Sequence, residues 1–119
     1  MTRTRVLSKK EVEGILTMDD VLDTVEKTFR AHGEAEVVMP AKITLDLKSM
    51  GIDSWTNAMP AYVRPYDAAG IKWAGGYIDN PKKGLPYIVA TIILQDPYTG
   101  QQIAIMDGAH ITNLRTGAA

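Results

Sequence analysis

The stretch "YIVATIILQ", residues 87–95, constrains this chain more than any other. It is short, rich in β-branched residues, apolar at alternate positions on both sides, and followed at once by the turn residues "DPYTG". A run of that kind is a strand with no wet face. It must sit inside a sheet, with a neighbour on each side. One of its faces needs helices, and the other needs a second cover.

The flanking residues supply the neighbours. In "AKITLDL" the period is two: Ala41, Ile43, Leu45 and Leu47 share one face, and Lys42, Thr44 and Asp46 the other, which predicts a half-buried strand. "SWTNAMPAYV" and "AAGIKWAGG" read as further strands, "QIAIM" pairs back across "DPYTGQ", and "RVLS" is a short first strand. Pro97 and Gly100 suit a hairpin turn.

Helical spacing appears in three places. Ser8 with Glu11 three residues on makes a capping box for a short helix to about Ile15. Thr17 opens "MDDVLDTVEKTFRAHG", where Val21, Leu22, Val25 and Phe29 form an apolar stripe and Gly33 is the expected stop. Asp23–Lys27 and Glu26–Arg30 are spaced as ion pairs on its wet side. Asp107 is the expected cap of a last helix through "GAHITNLRTGAA". The expected fold is α+β: two helices, four or five mostly antiparallel strands and a final helix, with the helices packed on one face of the sheet. Three helices from one short chain cover one face only. The far apolar face therefore predicts a homodimer through the sheet.

Composition removes several functions. The 119 residues suit one domain. Basic and acidic residues number 13 and 14, with no cationic stripe, so nucleic acid is not expected as a partner. There is no cysteine, which excludes thiolate catalysis and fits a reducing cytoplasm. No apolar run approaches the roughly 20 residues of a membrane helix, so no membrane is expected, and "MTRTRVLSKK" lacks the pattern of a secretory leader. His32 and His110 have no ligand partners at metal spacing, so no metal site is expected.

Three cations remain as candidates. Lys42 and Lys72 both read as mid-strand residues opposite an apolar row. Each suits a solvated outer face or a cleft wall holding a carboxylate. Arg115 suits the rim of the apolar Ile111–Leu114–Ala118 side; near a helix's amino half it would also help bind a phosphate. "RTGAA" ends inside a helical pattern, from which more protein is expected beyond it.

"MPAYV", "GIKW", "NPKKGLP", "LQDPYTG", "AIMDGAHIT" and "LRTGAA" occur in this order. Together they resemble the amino-terminal part of the ornithine cyclodeaminase/mu-crystallin family, densely from Pro40 to Ala119. The resemblance implies a two-domain enzyme. Residues 1–119 would be the substrate-binding and dimerisation domain, and a Rossmann domain after residue 119 would bind NAD or NADP and supply a catalytic aspartate. It implies that Lys72 binds the carboxylate of a small amino or imino acid near the reacting carbon. It implies that Lys42 clamps the same carboxylate, in a place usually held by arginine. Arg115 would contact the dinucleotide. Tyr87 stands where family members often carry a cofactor-touching threonine, and no role is carried over to it. The implied chemistry is an NAD(P)-dependent dehydrogenase, ketimine reductase or cyclodeaminase in the cytoplasm, with this domain inactive alone. A chain complete at 119 residues would instead be a non-catalytic dimerisation or small-acid-binding module.

Overall fold

The computed structural model describes residues 3–119. At its centre lies the strand that the apolar run requires. β6 (Ile88–Gln95) pairs with β5 (Ala68–Tyr77) on one side and β7 (Gln102–Asp107) on the other. β4 (Ser54–Val63) follows β5, and β1 (Arg5–Leu7) closes the far edge beyond β7. β2 (Val37–Val38) and β3 (Ile43–Asp46) share the outer edge of β4. Among the described residues only the β1–β7 pairing is parallel; the other strand pairs are antiparallel. Six strands, not four or five, lie between the second and third helices. The extra one, β2, has two residues, too few to show a period.

The β6–β7 turn forms as its residues demand. Asp96 Oδ1 accepts from the backbone N–H of Tyr98 (2.7 Å) and Thr99 (3.1 Å), and Gly100 takes φ +75°. Nearby, Asp67 Oδ1 accepts from the hydroxyls of both Tyr62 (2.8 Å) and Tyr98 (3.1 Å), tying this turn to the β4–β5 connection.

β3 departs from expectation. All four residues are exposed, with Ile43 75 % and Leu45 49 % accessible, so it is not half-buried. It is an edge strand that pairs with β4 alone among the described strands. It also starts late. Alternate residues of β4 turn their backbone groups toward this edge, as Leu47 N–H to Ser54 O and Arg64 N–H to Glu36 O show. Pro60 has the same parity and no N–H to give, so pairing stops at Ile43 opposite Ala58. Lys42 therefore precedes the strand.

α1 (Lys9–Ile15) and α2 (Met18–Gly33) begin where the caps require. Ser8 Oγ accepts from Glu11 N (3.2 Å) and donates to Glu11 Oε1 (3.1 Å), and Thr17 Oγ1 accepts from Asp20 N (3.2 Å). The end of α2 differs. Gly33 is its last helical residue, and the left-handed residue is Ala35, φ +60°. Glu36 N–H reaches Ala31 O (2.8 Å) and Ala35 N–H reaches His32 O (3.2 Å), which is a Schellman ending set two residues beyond the glycine. The apolar stripe is also split. Val21 is buried and Val25 half-buried, while Leu22 and Phe29 are exposed, because α2 touches α3 along one narrow side. Glu26 pairs with Arg30 (3.4 Å) as spaced, but Lys27 lies over the Tyr66 ring, 5.2 Å from its centre, not on Asp23.

α3 (Ala109–Ala118) has Gly108, not Asp107, at its N-cap. Asp107 remains the end of β7, and its Oδ2 accepts from Ala109 N (3.2 Å) from one position earlier. Among the described residues no helix is long and apolar enough to cross a membrane.

Candidate functional site

Register sets one row of side chains across the sheet. Lys72 stands opposite Met59 of β4 and Ile92 of β6, and Ile92 opposite Met106 of β7. Directly paired residues share a face. Gly108 shows which face this is: a Cβ there would lie 3.1 Å from Ala90 Cβ and from Ile92 Cγ1, so α3 starts on the Ile92 side. Lys72 thus points to the helix layer. Its Nζ lies 3.3 Å from Thr112 Oγ1 in α3.

That position sets its electrostatics. Partial burial disfavours the charged amine and lowers its pKa below the usual lysine range, and the Arg115 guanidinium lowers it further. No carboxylate forms an ion pair with Lys72 among the described residues. Arg115 follows Thr112 by three positions, which puts both on one side of α3. It lies in the last turn of the helix, not its amino half, so the helix dipole adds nothing to a phosphate contact there. Arg115 also lines a mostly apolar cleft of about 240 Å³ between α2 and α3, with Leu16, Asp20, Val21 and Ile111.

Lys42 is not mid-strand. It is exposed and lies one residue before β3. The β3–β4 pairing ends at Ile43 opposite Ala58, next to Met59, the residue that pairs with Lys72. Lys42 thus falls outside the ladder, at the edge of the sheet nearest the Met59–Lys72 pair.

Two polar residues on this face were not singled out by the sequence. Asn57 is 7 % exposed, pairs with Ala74 two residues from Lys72, and accepts from Thr44 Oγ1 through Oδ1 (2.7 Å). Thr112 lies in "HIT", a motif quoted above without a role for the threonine. Asn57 shares β4 with two other polar residues, Ser54 and Thr56, so nothing in the sequence sets it apart, and the Thr112 contact lies 40 residues from Lys72.

The opposite face carries Ile71, Trp73, Val89 and Ile93, and no α-helix among the described residues covers it. Trp73 and Val89 are each 46 % exposed. His32 and His110 join no group of metal-binding side chains among the described residues.

The profile of the ornithine cyclodeaminase/mu-crystallin family matches residues 2–119. The chain belongs to the ornithine cyclodeaminase/mu-crystallin family. Among members of this family, it is 40 % identical over 116 residues to the alanine dehydrogenase of Archaeoglobus fulgidus, covering 98 % of this chain and 34 % of that protein. A solved archaeal alanine dehydrogenase dimer with bound NAD superposes with a TM-score of 0.89 at 38 % identity, over 97 % of this chain and 34 % of that one. The Thermococcus litoralis Δ1-pyrroline-2-carboxylate reductase, solved with NADH and L-proline, gives 0.92 at 32 % identity, over 97 % and 35 %. The chain thus spans about a third of the length of these family members.

Proposed function

We propose that residues 1–119 are the substrate-binding and dimerisation domain of a two-domain NAD(P)-dependent enzyme acting on a small amino or imino acid. The reaction class is that of an amino-acid dehydrogenase, imino-acid reductase or cyclodeaminase, the last a lyase. The observation that carries the reading is Lys72: a partly buried ammonium on the helix face, with no carboxylate partner, beside a second cation, Arg115. Two neighbouring cations, neither in an ion pair among the described residues, fit an anionic ligand. A substrate carboxylate supplies that charge.

Lys72 binds the carboxylate and Lys42 clamps it from the β3 edge. Together they fix the acid's orientation, and a fixed orientation converts binding into rate by removing translational and rotational freedom. Lys42 meets the carboxylate as a point charge where an arginine would offer a planar fork, so its grip is less directional.

The fit of a dinucleotide can be judged on the residues present. Exposed Arg115, beside Thr112 on α3, suits a phosphate or ribose contact. No G-x-G-x-x-G turn occurs in this sequence, so these residues offer a contact and not a cradle. A Rossmann domain beyond residue 119 would hold NAD or NADP, which, when bound, takes or gives the hydride at the substrate's α-carbon. The enzyme works as a homodimer in the cytoplasm, and the 119-residue chain alone is inactive. The test is the full-length protein against a panel of small amino and imino acids with NAD and NADP, followed by nicotinamide absorbance. Turnover of at least one acid is expected. No turnover and no carboxylate binding across the panel contradicts the reading.

A further inference from the structure

Lys72 faces a contradictory environment. Burial and Arg115 both disfavour its charge, yet a carboxylate site needs it charged and aimed. The row neighbours cannot compensate: Met59 from β4 and Ile92 from β6 are not titratable, and the nearby Asn57 is neutral. Exposed Lys42 adds positive charge. From the helix layer α3 brings Arg115, and Asp20 of α2 lines the cleft that Arg115 also lines. What remains is one hydrogen bond, from Lys72 Nζ to Thr112 Oγ1, 3.3 Å.

We propose that Thr112 is the positioning residue for Lys72, a neutral acceptor that aims the ammonium and favours its protonated form without neutralising it. This rests on the carboxylate-binding role of Lys72 argued above. An ammonium has three donors. Thr112 takes one and leaves two for the ligand. An aspartate or glutamate here would hold the ammonium more tightly but would also repel a substrate carboxylate. A hydroxyl satisfies the lysine and leaves the net positive charge free. The helix supports this geometry. Thr112 N–H is held by Gly108 O (2.9 Å), Thr116 Oγ1 donates to Thr112 O (2.7 Å), and Gly108 packs on Ala90 and Ile92 of β6, beside the strand of Lys72. The threonine is thereby fixed relative to the sheet.

The test uses the full-length enzyme with Thr112→Val, which keeps the branched shape and removes the acceptor, and Thr112→Ser, which restores it. Removing one hydrogen bond to a charged group changes binding by about tenfold. With Val, KM for the acid is expected to rise by about that factor with kcat changed less. The Lys72 pKa, read by NMR of the ¹³C-methylated amine, is expected to fall further. Ser is expected to return both toward the parent. An unchanged KM and an unchanged Lys72 pKa in Thr112→Val overturn the proposal. So does a KM rise that Ser fails to rescue, since that reports packing alone. A Lys72→Ala variant run beside them separates the two claims. If it too leaves KM unchanged, the carboxylate role of Lys72 fails; if it alone raises KM, only the role of Thr112 fails.

Discussion

Lys72 and Trp73 are consecutive in β5, yet the Lys72 ammonium meets Thr112 under the helix layer while the Trp73 indole stands 46 % exposed on the face without helices. The two-residue period of one strand thus separates the helix-covered side of the sheet from the side without helices.

The side without helices leads to the first prediction. Trp73 and Val89, with Ile71 and Ile93 beside them, leave an apolar sheet face open, and such faces mark interfaces. The full-length protein is expected to be a dimer at micromolar concentration by light scattering. Trp73→Glu is expected to make it a monomer with unchanged circular dichroism. A parent that runs as a monomer removes the argument.

A second prediction concerns Ala35. Its left-handed φ of +60° brings Cβ against the backbone at a cost of about 1–2 kcal/mol. Ala35→Gly removes that contact, offset in part by the greater freedom of glycine in the unfolded chain. A gain of up to about 1 kcal/mol is expected, read as a higher urea midpoint at unchanged m-value. A lower midpoint contradicts the assignment of Ala35 as the left-handed residue.

Charge on Lys72 also has a price in stability, which sets a third prediction. Its folded pKa lies below its ordinary value near 10.5. Between those two values the unfolded chain binds the extra proton, so stability rises with pH across that window. Below the window the cost of the buried charge is present in full. Lys72→Met is therefore expected to raise Tm at pH 7, by about 1–3 °C given partial exposure. The gap should narrow as pH approaches 10. A variant less stable than the parent at pH 7 contradicts it.

These features differ in how far sequence alone reveals them. The period-two runs and the apolar residues of β6 were enough for the sheet and its centre. Ser8, Thr17 and Gly100 act locally, through caps and a turn within four residues, and were legible for that reason. The failures are tertiary. Pro60 shortens β3 from the neighbouring strand, so nothing within "AKITLDL" announces that Lys42 falls outside the ladder. Gly33 invites a stop that the chain makes at Ala35 instead, where the Schellman bonds close. Leu22 and Phe29 have helical spacing but no partner layer in this chain. Of the candidate site, alternation set Lys72 opposite Trp73 and left open whether that side was solvent or a covered face. That side's cover, Thr112 and Arg115 on α3, depended on a contact 40 residues away.

Lys42 gives a fourth prediction. It is exposed and outside β3, so removing it costs less than removing Lys72. Steady-state kinetics of the full-length enzyme are expected to show Lys42→Ala raising KM modestly, by up to about fivefold, as for a solvent-exposed charge pair of up to about 1 kcal/mol. Lys42→Arg is expected to match the parent or lower KM, since its fork suits a carboxylate. A Lys42→Ala loss as large as that of Lys72→Ala contradicts this ranking.

The central claim is that Lys72 holds the substrate's carboxylate, and Lys72→Ala in the full-length enzyme tests it most directly. Losing a desolvated charged hydrogen bond costs about 2–5 kcal/mol, or roughly 30-fold to several-thousand-fold in kcat/KM. The account predicts a fall in that range, with circular dichroism and dimer mass unchanged. A kcat/KM within about twofold of the parent, a difference worth less than about 0.5 kcal/mol, would show Lys72 to be a lysine that merely rests against α3.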